Sequence, residues 1–529
     1  MTLCKCLQAD LLYAGATWRF LLPFWVFVSL FLFLLKAKIC PNEKSIAFVD
    51  TTSLYLLCNG AEQVIGLNLT DAWSSGSINA LADLKFLSVI LDFNNLSAAP
   101  FPDFFPDLSN LTVLSLHACS LTGESPQKIF QIPTLQIIDL IGHNDMLGCS
   151  LPEFPSNGSL QKLALSYTQF SGTLPKSIEN LRMLSHLDLS SCKFTGPLPS
   201  SMANLTQLVY LDLYLNRFTG SLPSLPKNLS HWEKLEYLDL HDNSLSGIIP
   251  ASLFSLPSLK SLHLSNNFSG QISDQLQNVN SPLTKIYLIA NNLERPLPEF
   301  LLELKHVEAL SLSSNNGTVK LDKFTKLQNL TTLDLSCSGL SVDTNISKSD
   351  IALLPLFSSL KLVSCDLQNI SFLKNQSSLI NLHLSDSHFK GEIPNWIWGI
   401  TDKSLYVLNL SLNQFTHFQE PYIIPNNLSS LDLYSNLLTG EIPLLPRSAF
   451  SVDLSSNKFA TSIQPDFGNY LLSAQFLSVA NNTISGAIPD SICKATGLEV
   501  LDLPRNSLTV RVPTCLAEQM TGLKIVNLG

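Results

Sequence analysis

The 529-residue sequence has few charged residues, and they do not form blocks. Charged residues make up 14% of the chain, hydrophobic residues make up 45%, and the formal net charge is −10. Disordered chains combine low hydrophobicity with high charge, so this composition excludes general disorder. The lack of a run rich in lysine and arginine argues against nucleic acid as a partner.

Signatures of catalysis are also missing. The sequence has no G-x-S-x-G, no H-E-x-x-H and no pair of C-x-x-C elements spaced for zinc. The tripeptide Asp466-Phe467-Gly468 matches the D-F-G of kinases, but the glycine-rich loop, the V-A-I-K strand and H-R-D are absent. We therefore predict a protein that is not an enzyme and that uses no cofactor or metal ion.

The sequence does contain a repeat. Three successive copies, LRMLSHLDLSSCKFTGPLP, LTQLVYLDLYLNRFTGSLP and LEYLDLHDNSLSGIIP, begin at Leu181, Leu205 and Leu235. Their shared pattern is L-x-x-L-x-x-L-x-L-x-x-N-x-L-x-G-x-I/L-P, with a period of about 24 residues, which is typical of leucine-rich repeats. About eighteen copies occupy residues 84–529, and the last is incomplete.

The spacing within a copy predicts its local structure. The L-x-L step has the period of a strand, so both leucines point inward and the residue between them points outward. Three positions later, a buried asparagine can satisfy backbone groups at the bend after the strand. This asparagine column holds Asn216, Asn243, Asn291, Asn413, Asn436, Asn457, Asn482 and Asn506. We predict an α/β-type repeat solenoid, a horseshoe with a parallel β-sheet on its concave face and little regular helix.

The eleven cysteines fall into several groups. Cys493 and Cys515 lie on the same side of adjacent copies, which allows a disulfide between them. Cys40 and Cys58 flank a short segment before the first copies and could bridge a cap. The cysteines that stand in the asparagine column, and that we predict to be buried thiols, are Cys119, Cys192 and Cys365.

A hydrophobic segment near the start, FLLPFWVFVSLFLFLL at residues 20–35, indicates a secretory chain. Its sixteen residues are short for a membrane span but long enough for the apolar part of a signal peptide. Residues 1–39 are therefore predicted to be a signal peptide, with an uncleaved signal anchor as the alternative. Residues 40–83 would form a degenerate, cysteine-containing N-terminal cap.

About fifteen N-x-S/T sequons agree with this secretory prediction. Several arise from the repeat pattern itself, which contains N-L-T or N-L-S. Together with the hydrophobic segment they predict a glycosylated protein of the secretory pathway, located at the plasma membrane or in the apoplast. The predicted glycosylation sites are Asn95, Asn110, Asn157, Asn204, Asn228, Asn329, Asn409 and Asn427.

The repeats resemble the plant-specific class of leucine-rich repeat. Three segments, MANLTQLVYLDLYLNRFTGSLP, IPNWIWGI and SVANNTISGAIPDSIC, are similar to those of the Verticillium-wilt resistance receptor-like proteins. The resemblance covers nearly all of residues 84–529. It implies a cell-surface immune receptor with a signal peptide, a cap, many repeats, an acidic stretch, one membrane helix and a short tail. Such a receptor would signal through a separate receptor kinase.

The sequence departs from that family pattern in three places. The cap keeps Cys58 and VIGLNL but lacks the tryptophan of W-x-G-V-x-C. Little sequence separates the cap from the first irregular copy, LKFLSVILDFNNLSA. The further repeats, the acidic stretch and the membrane helix expected at the C-terminus are missing. The sequence thus resembles an ectodomain truncated before its anchor, in which a missing C-terminal helix or an uncleaved N-terminal segment would provide membrane association.

The outward columns of the predicted sheet are the candidate binding surface. An aspartate recurs between the two strand leucines, and we interpret it as a solvated consensus residue. It is found at Asp188, Asp212, Asp239, Asp334, Asp432, Asp453 and Asp502. Tyr214, His241, His263 and Tyr287 depart from the Asp/Ser consensus in four successive copies. Aromatic residues concentrated on one surface are typical of interfaces, so these four are the predicted ligand contacts.

We expect a ligand-recognition domain that perceives a microbial protein or peptide in plant defence. One alternative is a soluble secreted inhibitor or decoy that resembles polygalacturonase-inhibiting proteins, although those are much shorter. A second is a truncated gene product without function, since a solenoid needs capping turns.

Overall fold

The computed structural model describes residues 45–47, 54–58, 64–70, 87–96, 99–143, 147–222, 232–265, 267–270, 272, 281–293, 298–315, 317–336, 340–365, 367, 369–400, 405–509 and 511–528. The predicted signal segment 20–35, Cys40 and Asn228 lie outside these residues. Within the described ranges, no helix has the length and apolar character needed to cross a membrane. The chain divides into two compact units, residues 1–235 and 236–529.

The first unit is built on nine short strands. The first three pair antiparallel, and from the third strand onward each neighbour pairs in parallel and in register. Their bounds are Ser45–Ala47, Leu54–Cys58, Val64–Leu69, Ser88–Ile90, Val113–Ser115, Ile137–Asp139, Lys162–Ala164, His186–Asp188 and Tyr210–Asp212. Each parallel strand from Ser88–Ile90 onward ends on the residue between the two apolar positions of an L-x-L step.

The second unit repeats the arrangement with thirteen strands, which all pair in parallel. Their bounds are Tyr237–Asp239, Ser261–His263, Lys285–Tyr287, Ala309–Ser311, Thr332–Asp334, Ser359–Lys361, Asn381–His383, Val407–Asn409, Ser430–Asp432, Ser451–Asp453, Phe476–Ser478, Val500–Asp502 and Ile525–Asn527. The predicted parallel sheet is therefore confirmed within each unit.

A second series of short strands follows the bend in most copies. In the first unit these are Gly123–Glu124, Leu147–Gly148, Ser171–Gly172, Lys193–Pro197 and Arg217–Ser221. In the second unit they are Ser244–Gly247, Asn267–Gly270, Asn292–Leu293, Gly317–Lys320, Leu340–Asp343, Lys390–Ile393, Gln414–Phe418, Thr439–Gly440, Lys458–Phe459, Ser485–Gly486 and Ser507–Leu508.

The remaining side of the copies is formed mainly by 3-10 helices. Those of the first unit are Phe105–Asp107, Gln127–Gln131, Lys176–Asn180 and Ser200–Asn204. Those of the second are Ala251–Ser255, Glu299–Glu303, Leu321–Lys326, Ser371–Asn375, Asn395–Gly399, Phe467–Tyr470 and Asp490–Lys494. Among the described residues only Lys348–Ile351 and Cys515–Glu518 are α-helical, which agrees with the predicted shortage of regular helix.

The core is shared between neighbouring copies. The middle residue of each three-residue strand from Ser88–Ile90 to Val500–Asp502 is apolar and buried, as Leu187 and Leu408 show with 0% exposure. Phenylalanines after the bend form a second buried column, and the rings of Phe194 and Phe218 stack with centroids 6.1 Å apart. Burial of each such ring stabilises the fold by about 1.5–3 kcal/mol, so no copy is stable without its neighbours.

The asparagine column forms a hydrogen-bonded ladder. In the first unit, Asn216 Oδ1 accepts from the amide of Phe194 at 3.0 Å, and its Nδ2 donates to the carbonyls of Leu189 and Leu213 at 2.7 and 3.2 Å. Asn216 is 9% exposed. One side chain therefore satisfies buried backbone groups of two copies, which is the role that the spacing predicted.

Cysteines replace asparagine at three positions of the ladder. The thiol of Cys119 donates to the Leu91 carbonyl at 2.9 Å, and those of Cys192 and Cys365 donate to equivalent carbonyls at 3.1 and 3.2 Å. All three are buried. Burial raises the pKa of Cys119 to about 12, which disfavours the reactive thiolate.

Elsewhere in the second unit, a disulfide joins Cys493 and Cys515, whose Cα atoms are 5.7 Å apart. It links the helix Asp490–Lys494 to the helix Cys515–Glu518 of the next copy.

A histidine occupies the ladder in one further copy, which the sequence pattern did not reveal. His143 has 0% exposure, and its Nδ1 accepts from the amide of Leu121 at 3.0 Å. This is the bond that an asparagine oxygen makes elsewhere. Burial lowers the pKa of His143 from 6.5 to about 4, so the folded state holds the ring neutral.

His143 should therefore make the first unit sensitive to acid. Because the pKa of His143 is lower in the folded chain than in the unfolded chain, protons bind preferentially to the unfolded chain. The free energy of unfolding is therefore highest above the unfolded pKa and decreases as pH falls from about 6.5 toward 4. Between about pH 7 and 4.5 the predicted loss is about 2 kcal/mol. Urea unfolding at both pH values should show this loss in the wild type and a much smaller one in His143→Asn. Equal losses in the two proteins would contradict the prediction.

Candidate ligand-binding surface

We call the outward side chains of the three-residue parallel strands, at their first and third positions, together with the residue two positions after each strand, the β-face of each unit. The predicted aspartate column lies here, but its members are not freely solvated. Asp188 and Asp334 are half-buried, and each Oδ1 accepts from the backbone amide two residues later at 3.0 Å. Asp212 and Asp239 are 8% and 3% exposed and make the same bond. The interpretation of this column as solvated was wrong, because the carboxylates stabilise the turn after the strand.

Three of the four predicted contacts come together on the β-face of the second unit. The parallel register places His263 between Asp239 and Tyr287 on adjacent strands. The centroids of the His263 and Tyr287 rings are 4.6 Å apart, and those of His263 and Tyr237 are 5.4 Å apart. His241 follows one strand, and its ring centroid is 6.1 Å from that of His263.

Two residues that sequence reasoning missed organise this surface. Asp239 was treated as a consensus residue, yet its Oδ1 lies 2.5 Å from Nδ1 of His241 and its Oδ2 lies 3.5 Å from Nδ1 of His263. The Tyr237 hydroxyl donates to Oδ2 of Asp239 at 3.0 Å. We call Asp239, His241 and His263 the Asp–His cluster. The sequence feature that could have revealed the cluster is the position of Asp239. It lies two residues before His241 and pairs with His263 on the next strand.

Burial and charge set the protonation of the Asp–His cluster. Burial raises the pKa of Asp239, but hydrogen bonds from His241 and the charges of both imidazoles outweigh it, so that pKa is lowered overall. Burial lowers the pKa of His263, and His241 and Lys285 lower it further, while Asp239 opposes them. At neutral pH the surface therefore presents a buried carboxylate beside a neutral imidazole.

The fourth predicted contact, Tyr214, belongs to the first unit. Its amide donates to Oδ1 of Asp212 at 3.0 Å, and its side chain is half-buried. Nearby on the same β-face, the rings of His186 and Tyr210 stack with centroids 4.3 Å apart, and the Tyr210 hydroxyl donates to Asp212. The first unit thus carries its own aromatic surface.

The predicted glycosylation sites differ in accessibility. Asn409 stands on the β-face, where it is half-buried, donates to Asp432 at 2.9 Å and accepts from the amide of Ser411. Its side chain has a structural role like that of the aspartates, and its glycosylation stays a prediction, as does that of the others. The exposed sites are Asn95, Asn110, Asn157, Asn204, Asn329 and Asn427.

Comparison with known proteins agrees with the repeat architecture. A family model described as a leucine-rich repeat region matches residues 112–287. In Arabidopsis thaliana, Receptor-like protein 6 is 32% identical over 502 residues, which cover 88% of this chain and 48% of that protein. Receptor like protein 24 is 30% identical over 458 residues, which cover 81% and 47%. The chain is a leucine-rich-repeat protein similar to plant receptor-like proteins.

This leucine-rich-repeat protein spans about half the length of these curated relatives. The finer resemblance to the Verticillium-wilt group stays a prediction. Among solved structures, the Arabidopsis receptor kinase HAESA, in complex with the peptide hormone IDA and the co-receptor SERK1, is 26% identical, with a TM-score of 0.59. The match covers 90% of this chain and 83% of that one.

A second similar structure is the plant peptide hormone receptor RGFR1 in complex with RGF2. It is 25% identical, with a TM-score of 0.57, and the match covers 86% of this chain and 84% of that one. The predicted leucine-rich-repeat fold class is confirmed.

Proposed function

We propose that this protein is the ligand-recognition region of an extracellular receptor-like protein in plant defence. Its ligand would be a microbial protein or peptide, bound on the β-face of the second unit by His241, His263 and Tyr287. Tyr214, on the β-face of the first unit, stays a predicted contact. A separate receptor kinase would carry the signal. The protein would act at the plasma membrane or in the apoplast.

The observation that carries this proposal is the replacement of the usual aspartate and serine by rings on adjacent strands. His263 and Tyr287 stand where other copies place a hydrogen-bonded carboxylate, and their rings contact each other. Rings held by neighbouring strands lose little conformational entropy when they bind, which is why aromatic residues are enriched at interfaces. The peptide hormone complexes named above support a peptide as the class of ligand.

A displayed library of random peptides, selected on the full chain, tests the binding surface. We expect the selected peptides to bind Tyr287→Ala at least about tenfold more weakly than the wild type, because an interface ring worth 1.4 kcal/mol changes affinity tenfold. Biolayer interferometry with the individual synthetic peptides measures the ratio.

Tyr406→Ala is the matched control, since Tyr406 is an exposed tyrosine, 54% accessible, that lies just before a β-face strand of the same unit. Circular dichroism confirms that both variants fold. If the peptides bind both variants with the affinity of the wild type, the ligand binds elsewhere.

A further inference from the structure

We propose that Asp239, His241 and His263 form a binding site for a divalent transition-metal ion on the β-face of the second unit. This inference does not depend on the identity of the ligand or on the proposed role in defence. It revises the expectation, drawn from the lack of zinc motifs, that the protein uses no metal. The two histidines and the carboxylate are brought together by strand register, so no local motif announces them.

The donor atoms already lie close to the geometry of a three-ligand site. One donor atom from each residue can be chosen so that all lie within 4.8 Å of one another. Zinc bonds of about 2.0–2.2 Å place tetrahedral ligands about 3.3–3.6 Å apart. Asp239 Oδ2 and His263 Nδ1 are 3.5 Å apart, so small side-chain rotations would centre an ion among the three groups.

Neighbouring groups hold the three ligand side chains in place. Ser261 Oγ lies 2.8 Å from Nε2 of His263, and as an acceptor it would fix the proton there and leave the Nδ1 lone pair facing Asp239. Without a proton or an ion between them, that lone pair and the carboxylate would repel each other. Tyr237 donates to Asp239, which is only 3% exposed, and so orients the carboxylate. Such outer-shell partners are characteristic of metal sites.

The donor set selects the class of metal. Two imidazoles and one carboxylate suit Zn²⁺, Cu²⁺ or Ni²⁺ better than the hard ions Ca²⁺ and Mg²⁺. The Asp239 carboxylate supplies the negative charge that offsets the ion, whereas Lys285, on the next strand beside Ser261, opposes binding. Three protein ligands leave at least one position open to water or to a donor atom from another molecule.

Isothermal titration of the tag-free full chain with Zn²⁺ tests the site. We expect one equivalent to bind, and we expect His241→Ala and His263→Ala each to weaken that binding by about 100-fold or more, since loss of an outer-shell partner alone costs 10–100-fold. Tyr237→Phe keeps the ring and removes only the hydroxyl, so it should weaken binding by about tenfold. Titration with Co²⁺ adds a visible spectrum that reports nitrogen and oxygen ligation without any variant.

His117→Ala provides the matched control. His117 Nδ1 lies 3.8 Å from Asp139 Oδ1 on the first unit's β-face, but Lys162 Nζ already bonds the other carboxylate oxygen at 2.7 Å. This variant should bind Zn²⁺ as the wild type does. The proposal would be overturned by a wild type that binds no Zn²⁺ or Co²⁺, or by binding that survives both substitutions within the Asp–His cluster.

Discussion

Gly468→Ala is expected to destabilise the second unit by about 3 kcal/mol or more, at the upper end of the cost of overpacking. Gly468 lies in the 3-10 helix Phe467–Tyr470 and donates its amide to Oγ of Ser491 in the next copy at 3.0 Å. A Cβ there would overlap the carbonyl group of Ser491 and approach the amide nitrogen of Ile492 to 2.7 Å. These are backbone atoms, so no side-chain rotation relieves the clash, and the two helices must move apart.

Gly399→Ala is the control for this prediction. Gly399 also lies in a 3-10 helix of the second unit, Asn395–Gly399, and among the described residues nothing lies within 4 Å of its added Cβ. Alanine at such a site typically changes stability by less than about 1 kcal/mol, and it can stabilise through the entropy of the unfolded chain. Thermal unfolding of both variants should separate them clearly. Similar midpoints would show that the helices accommodate a methyl group.

The requirement for glycine at position 468 could not be predicted from the sequence. The tripeptide Asp466-Phe467-Gly468 could be dismissed as a kinase motif because its partner motifs are absent, but the sequence offered no reason for the glycine. The reason lies 23 residues further on, in the side-chain and carbonyl oxygens of Ser491. A periodic pattern identifies which residues share a column, but not which atoms of the next copy each one meets.

In the ladder and on the β-face, too, the sequence pattern predicted which residues share a column but not all of their contacts. The strands and the ladder were predictable because inward leucines and buried amides recur at fixed spacing, so register follows from counting. His143 was missed because the column was defined by asparagine and cysteine, although an imidazole nitrogen accepts the same backbone bond. Asp239 was missed because its consensus position hid a contact with two histidines that only strand pairing brings together.

Loss of a ladder asparagine should also destabilise the second unit strongly. Asn413 is 6% exposed, and its Oδ1 accepts from the amides of Ser387 and Phe389 at 3.1 and 3.0 Å. Its Nδ2 donates to the carbonyls of Leu384 and Leu410 at 2.9 and 3.0 Å. Asn413→Ala would leave several of these buried groups without partners, at about 1–3 kcal/mol each, so we expect a loss of about 3 kcal/mol or more.

Asn413→Cys separates the donor role from the acceptor role. A thiol in this column donates to carbonyls, as Cys365 does to Leu335, but it is a poor acceptor for the two amides that Asn413 serves. The free energy of unfolding should therefore decrease in the order wild type, Asn413→Cys, Asn413→Ala. The control is Asn426→Ala, at an exposed site of the same unit, which should leave stability unchanged.

Hydrogen exchange can locate the loss that thermal unfolding measures. Stability in a repeat array is close to a sum of neighbour terms, so protection should decrease first at Ser387 and Phe389 and spread to adjacent copies. If the alanine variant keeps full protection there, water or a backbone shift replaces the amide, and the ladder contributes to the uniform spacing of the copies more than to their stability.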